Sequence, residues 1–229
     1  MRPIYLLADS QLLFLKQDGV PFLKSIVDPL DPVLAQAAYI GAANGDDPEF
    51  YQIFQSAMES VGIRNCRQIC STFSPAEKAL LEAADIILLA GGDIEKGWNA
   101  FQLAGITELL RKKYKAGSTI LGISAGAILL GLSAWRTETV ASETIFDALN
   151  LVPLVIGVHE EKTEWANLRK RISLGQGFTR GIGIGAGAGM IFHPDQSVEP
   201  IRRPLHEFYR TSLQVCSGLL VPKGQAATP

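Results

Sequence analysis

Short runs of Ile, Leu and Val alternate along the chain with longer stretches in which apolar residues return at helical spacing. That alternation is the pattern of βαβ units and a mostly parallel sheet. The runs at 4–8, 37–42, 85–90 and 119–123 read as buried strands. From Asp47 to Val61, the residues Phe50, Ile53, Phe54, Ala57 and Val61 share one helical face, and Gly62 closes the segment. Ser74-Pro75-Ala76-Glu77 has the order of a capping box with proline at the first helical position, so a helix should run from there to about Ala84. After Gly91-Gly92, residues 98–115 keep the helical period as one helix, ending at Gly117 as a left-handed cap. The predicted fold class is α/β, three-layer, with a mostly parallel sheet and helices on both faces.

Residues 181–189 read Gly-Ile-Gly-Ile-Gly-Ala-Gly-Ala-Gly, which invites comparison with a dinucleotide-binding loop. Only the Gly-x-Gly-x-x-Ala variant of that fingerprint fits. The run follows no early βα unit, and Met190-Ile191-Phe192 continues it as a strand rather than a helix. A glycine-rich strand in close backbone contact with its neighbours is the better reading. The tail, 223–229, is small, polar and ends in proline, so it is expected to be disordered beyond a single α/β domain at 1–222.

Composition narrows the functional classes. With 21 Lys+Arg against 23 Asp+Glu the formal net charge is -2. The clustered cations that give a nucleic-acid binder its affinity are missing. Arg111-Lys112-Lys113 and Arg169-Lys170-Arg171 are short and read as solvated helix faces. No apolar stretch approaches the ~20 residues of a membrane helix, and the N-terminus reads as a first strand rather than a signal peptide, so a cytoplasmic protein is expected. Cys66, Cys70 and Cys216 complete no metal-ligand pattern and read as reduced packing residues. No metal or organic cofactor is called for.

One segment bears on chemistry directly. Thr119–Ile123 is a buried strand, Gly122-Ile123-Ser124-Ala125-Gly126 has the form Gly-x-Ser-x-Gly, and a helical pattern follows. That is the context of a nucleophile elbow, a tight strand-to-helix turn that exposes a serine hydroxyl while small flanking residues let backbone segments pass. The helix that follows aims its N-terminus at the site. The Ala125 N–H is the first expected oxyanion donor. A second should come from Leu89-Ala90-Gly91-Gly92-Asp93, with the Gly92 N–H as the candidate; losing one such donor costs about 3–4 kcal/mol of transition-state stabilisation. A serine nucleophile needs a base, and composition does not choose among the three histidines, His159, His193 and His206.

A resemblance does choose. Ala90-Gly91-Gly92-Asp93, the segment Gly122–Ala127, and Phe146-Asp147-Ala148-Leu149-Asn150-Leu151-Val152-Pro153 running on to Val158-His159 resemble, in that order, three segments of the serine exopeptidases that include peptidase E and cyanophycinase. The resemblance spans most of the chain. It implies a class I glutamine amidotransferase-like fold, hydrolysis of a short peptide or isopeptide through an acyl-enzyme on Ser124, and His159 as the base. It leaves bland roles for His193, at a strand end, and His206, at a surface or interface. A small peptide or peptide-like substrate and a possible homodimer follow from the same resemblance. A glutamine amidotransferase activity is disfavoured, since no cysteine lies in an elbow.

The pattern also departs from that family. Its third catalytic residue is a Glu in a Gly-x-x-Glu-Gly turn, and the corresponding segment, Gly183-Ile184-Gly185-Ala186-Gly187, puts Ala186 there. The third triad member is therefore open, with Glu160, Glu161 and Glu143 as candidates, a Ser-His dyad as a second possibility, and a binding protein without turnover as a third. An esterase or amidase would use the same elbow. Family members that prefer an acidic residue carry arginines after the histidine, whereas this chain reads Glu160-Glu161-Lys162-Thr163-Glu164-Trp165 before Arg169 and Arg171. Those acids either bias the pocket toward cationic groups or form the solvated first turn of a helix, the simpler reading. Trp98 and Trp165 read as core rather than as pocket walls.

Overall fold

The computed structural model describes residues 1–139, 142–174, 179–211 and 214–222, with the side chains of 136–139 and 142–144 left aside. The tail at 223–229, expected to be disordered, lies outside the described residues.

In chain order the strands are β1 (Ile4–Leu7), β2 (Lys16–Gln17), β3 (Val20–Pro21), β4 (Gln36–Ile40), β5 (Asn65–Ile69), β6 (Ile86–Leu89), β7 (Thr119–Ile123), β8 (Ser133–Thr139), β9 (Ser142–Asp147), β10 (Val155–Val158), β11 (Arg180–Ile184), β12 (Gly189–Phe192), β13 (Val198–Ile201), β14 (Leu205–Arg210) and β15 (Val215–Leu220). The helices are α1 (Phe22–Val27), α2 (Pro48–Glu59), α3 (Pro75–Ala83), α4 (Ile94–Ala104), α5 (Thr107–Lys115), α6 (Ala125–Leu130) and α7 (Ala166–Leu174). The main sheet runs β13-β12-β1-β7-β6-β4-β5. Its five strands from β1 to β5 are parallel, and β12 and β13 continue it antiparallel. A smaller sheet, β10-β11-β14-β15, begins with a parallel pair and ends antiparallel.

The alternation of side chains explains why the strand sequences are apolar at every position. In β1, Ile4 and Leu6 join one core while Tyr5 and Leu7 join the other; Ile87 and Leu89 of β6 divide from Ile86 and Leu88 in the same way. One face is covered by α3 to α6 and the inner side of the smaller sheet, the other by α1, α2 and the 3-10 turn Ser10–Phe14. Each fully buried Leu, Ile or Phe contributes about 1.5–3 kcal/mol, so a sheet covered on both faces draws on its whole side-chain set.

Three local readings need correction. The helical stretch 98–115 is two helices, because Gly105 adopts a left-handed conformation (φ 64°) after Ala104 and α5 restarts at Thr107. The glycine-rich run is two strands in different sheets, β11 and β12, joined by the turn at 185–188. Arg171 is no solvated residue: it is 4% exposed, donates to the Ser133 and Ile156 carbonyls, and lies 4.2 Å over the Trp135 ring. A helix packed between β10 and β14 turns one residue of any basic run inward. Gly117, with φ 98°, is left-handed as expected. No helix among the described residues is long and apolar enough to cross a membrane.

Candidate active site

The parallel strands end along one crest, and their first loop residues line one cavity. β1 delivers Ala8 and Asp9, β4 delivers Asn44, β6 delivers Ala90, Gly91 and Gly92, β7 delivers Ser124, and β10 of the smaller sheet delivers His159. Ligand crevices of open α/β sheets lie at these carboxyl ends. The cavity measures about 320 Å³, and its far wall is apolar: Leu13, Phe50, Ile53 and Phe54. Phe50 is 46% exposed because it faces this opening rather than the core.

Ser124 stands between β7 and α6 with φ 49° and ψ -108°, a strained region for a residue with a side chain. Two backbone bonds hold it there: its N–H donates to the Leu7 carbonyl at 2.9 Å, and its carbonyl accepts from Ile128 at 3.1 Å. The loop after β6 is held as firmly, with Ala90 N–H on the Ile40 carbonyl and Asp93 N–H on the Ala43 carbonyl. Gly92 has φ 135°, and a Cβ there would sit 2.3 Å from the Ala43 oxygen, so only glycine makes this turn. Among the described residues, no protein acceptor takes the Gly92 or Ala125 N–H. Helix α6 is a short one of six residues, so individual N–H groups matter more here than a helix dipole.

His159 has φ 61°, and its N–H donates to the Ile184 carbonyl at 3.3 Å. Its Nε2 lies 3.1 Å from the Ala8 carbonyl oxygen. A carbonyl only accepts, so in the neutral ring Nε2 carries the proton and Nδ1 the basic lone pair. Among the described residues no hydrogen bond joins His159 to the Ser124 hydroxyl. Asp9 Oδ1 stands 3.8 Å from His159 Nε2, and Asp9 Oδ2 accepts from the Gly187 N–H at 2.6 Å. Tyr39 completes the polar lining; its hydroxyl accepts from Asn44 Nδ2 at 2.7 Å. Burial pushes its phenol up to about 12 despite that hydrogen bond, so it stays protonated in neutral solution.

The two remaining histidines lie elsewhere. His193 follows β12 and pairs with Glu199 at 3.0 Å, and His206 on β14 packs on Trp165 with ring centroids 5.1 Å apart. Trp165 is 3% exposed and Trp98, stacked on Phe146, is 7% exposed; both belong to the core.

Among the described residues the His159 ring is paired with Ala8 and Asp9, not with Glu160 or Glu161. Glu160 is 7% exposed, turned inward, where its Oε2 accepts the Leu168 N–H at the start of α7 and its Oε1 lies 4.0 Å from Arg171. Glu161 accepts the Ala186 N–H, on the same turn whose Gly187 N–H holds Asp9. The third candidate, Glu143, has its side chain outside the described residues. Glu161, Glu164 and Arg169 border a separate cavity beside β14 and β15 that excludes Ser124. The acids after His159 therefore do not charge the Ser124 cavity. Among its described lining residues the carboxylate is Asp9. Sequence reasoning missed Asp9, and the available signal was its place directly after a first parallel strand.

The comparisons with known proteins place the chain among peptidases. Peptidase family S51 matches residues 4–201, and the chain belongs to that family. Among solved structures it is similar to a protein assigned as a peptidase E from Listeria monocytogenes EGD-e, with TM-score 0.61, 17% identity, and coverage of 88% of this chain and 98% of that one. It is also similar to a peptidase from an acI-B1 Actinobacterium, with TM-score 0.61, 14% identity, and coverage of 95% and 97%. At these identities the likeness is one of fold. No curated protein shows a significant match to the chain.

Proposed function

We propose that the protein is a serine-type peptidase that hydrolyses short peptides through an acyl-enzyme. The carrying observation is that Ser124, in its strained turn, shares one cavity with His159 and with the Gly92 loop. In this reading the Ser124 Oγ attacks the peptide carbonyl carbon while its proton passes to His159 Nδ1. The Gly92 and Ala125 N–H groups hold the resulting oxyanion. Collapse breaks the C–N bond, and the imidazolium returns the proton to the leaving amine. Water then repeats the sequence on the ester. The apolar wall of Leu13, Phe50, Ile53 and Phe54, with no Lys or Arg among the described lining residues, supports substrates with an apolar side chain rather than an acidic one. A volume of about 320 Å³ suits a dipeptide-sized ligand, which favours exopeptidase over endopeptidase action.

A second reading, a binding protein without turnover, is favoured by one observation: Ser124 and His159 are not hydrogen-bonded to each other. Such bonds are often loose before substrate arrives and tighten in the complex. Intact-mass spectrometry after exposure to a fluorophosphonate separates the readings. The expected result is one adduct on the wild type, none on Ser124→Ala, and a labelling rate on His159→Ala lower by at least ~10³-fold. No adduct on folded wild type overturns the peptidase reading. A panel of dipeptides beside simple esters then separates peptidase from esterase action, with Leu- and Phe-containing dipeptides expected to exceed Asp-containing ones.

A further inference from the structure

We propose that Asp9 is the positioning carboxylate of His159, a role it fills from the end of β1 rather than from the turn at 185–188. The inference rests on the reading of Ser124 and His159 as nucleophile and base.

Forming the acyl-enzyme puts a positive charge on an imidazole at the rim of an apolar cavity, and the catalyst gains from a negative group already fixed beside it. The turn Gly185-Ala186-Gly187-Ala188 has no carboxylate of its own. It has instead a backbone N–H that fixes one from elsewhere. Gly187 N–H donates to Asp9 Oδ2 at 2.6 Å, while the Ala8 N–H donates to the Ala188 carbonyl at 3.0 Å, so the end of β1 and the turn are joined at two points. This leaves Asp9 Oδ1 facing His159 Nε2 at 3.8 Å, an ion-pair distance once the ring is protonated. The adjacent Ala8 carbonyl takes the Nε2 proton at 3.1 Å and so sets the tautomer. Backbone and side chain of two consecutive residues thus divide the work a triad carboxylate does alone: Ala8 orients the ring and Asp9 supplies the charge. The neighbouring acids have other partners, Glu160 in α7 and Arg171, Glu161 in the Ala186 N–H of the same turn. Both partners are partly solvated, with side chains 34% and 39% exposed, so the effect should fall well below the ~10⁴-fold of a buried carboxylate.

The test uses a neutral fluorophosphonate, which has no amine for Asp9 to recognise. Its reaction forms an Oγ–P bond, breaks the P–F bond, releases fluoride and moves the Oγ proton to His159. In Asp9→Asn the amide oxygen keeps an acceptor for Gly187 and only the charge is lost. Labelling of Ser124 should slow by about 10- to 100-fold at an unchanged melting temperature. Raising ionic strength from about 0.05 to about 1 M should slow the wild type by screening the pair and slow Asp9→Asn less, where only the charges of Glu161 and Arg203 on the same turn remain. Labelling of Asp9→Asn at the wild-type rate overturns the proposal. If peptide KM rises in that case, Asp9 binds the substrate amine instead. A salt response equal in the two proteins also overturns it. An unlabelled wild type removes the underlying reading of Ser124, a different failure from either of these.

Discussion

At Gly126 an added Cβ would lie 2.2 Å from the Leu89 carbonyl oxygen, far inside van der Waals contact. Two effects oppose each other in Gly126→Ala. Alanine gains about 1 kcal/mol over glycine inside a helix, but here it would force α6 away from β6. Overpacking against backbone costs about 1–3 kcal/mol or more, and the carbonyl has no side-chain freedom to yield, so the clash should win. The expected outcome is a net loss of up to about 2 kcal/mol in urea unfolding, together with slower fluorophosphonate labelling because Ser124 moves with the turn. Unchanged stability would mean that α6 can slide over β6 without cost. The same residue-scale logic underlies Gly92, whose φ and closeness to Ala43 leave no room for a side chain.

At the scale of elements, α3 shows how firmly a short signal in the sequence can act. Ser74 Oγ accepts the Glu77 N–H at 3.3 Å, and Glu77 Oε2 accepts the Ser74 N–H at 2.7 Å, while Glu77 Oε1 reaches the Cys70 N–H at 2.8 Å. Burial works against the Glu77 carboxylate, but these hydrogen bonds outweigh it and hold its pKa at about 2, below the usual carboxylate value. A carboxylate depressed on folding adds stability that is complete above its unfolded pKa of about 4.5 and is lost as pH falls toward about 2. Urea unfolding of wild type and Glu77→Gln across that window should show a smaller acid loss in the variant. At neutral pH Glu77→Ala should cost about 1 kcal/mol, the usual worth of a cap. A variant whose pH dependence parallels the wild type would remove Glu77 from the acid response.

For the whole molecule, the question is how a histidine from the smaller sheet is held against a serine from the main one. The residue after His159 provides the anchor. Glu160 and Arg171 have side chains 8% and 3% exposed and lie 4.0 Å apart between β10 and α7, and Arg171 also donates to the Ile156 carbonyl at 2.8 Å. Removing one partner takes the cation away from a buried carboxylate that keeps its bond to the Leu168 N–H, so Arg171→Met should cost about 3–5 kcal/mol. Adding Glu160→Gln should recover part of it, since the buried carboxylate charge goes too. Denaturant unfolding of both variants checks this, and a double variant no more stable than the single one would mean that the carbonyl contacts of Arg171 dominate. At about 4 Å this pair also fixes the backbone from which His159 projects.

The strands, the capping box, the Gly-x-Ser-x-Gly turn and the membership of a peptidase family were all legible in the residues, because each depends on neighbours in sequence: period, cap spacing, small residues around a turn. Even there the period misled at Gly105, where one left-handed residue makes two helices, and at 181–189, where two strands in different sheets share one composition. What surrounds His159 was decided by tertiary structure alone. Asp9 is 150 positions from His159 by their numbers, 9 and 159, and meets it because the ends of β1 and β10, in different sheets, both bind the end of β11 and the turn at 185–188. Glu160 and Glu161, adjacent in sequence, take other partners because the loop after β10 twists through positive φ at His159, sending consecutive side chains in different directions. Local pattern is a matter of which residues follow one another, whereas the environment of a charge depends on which distant strand ends pack together.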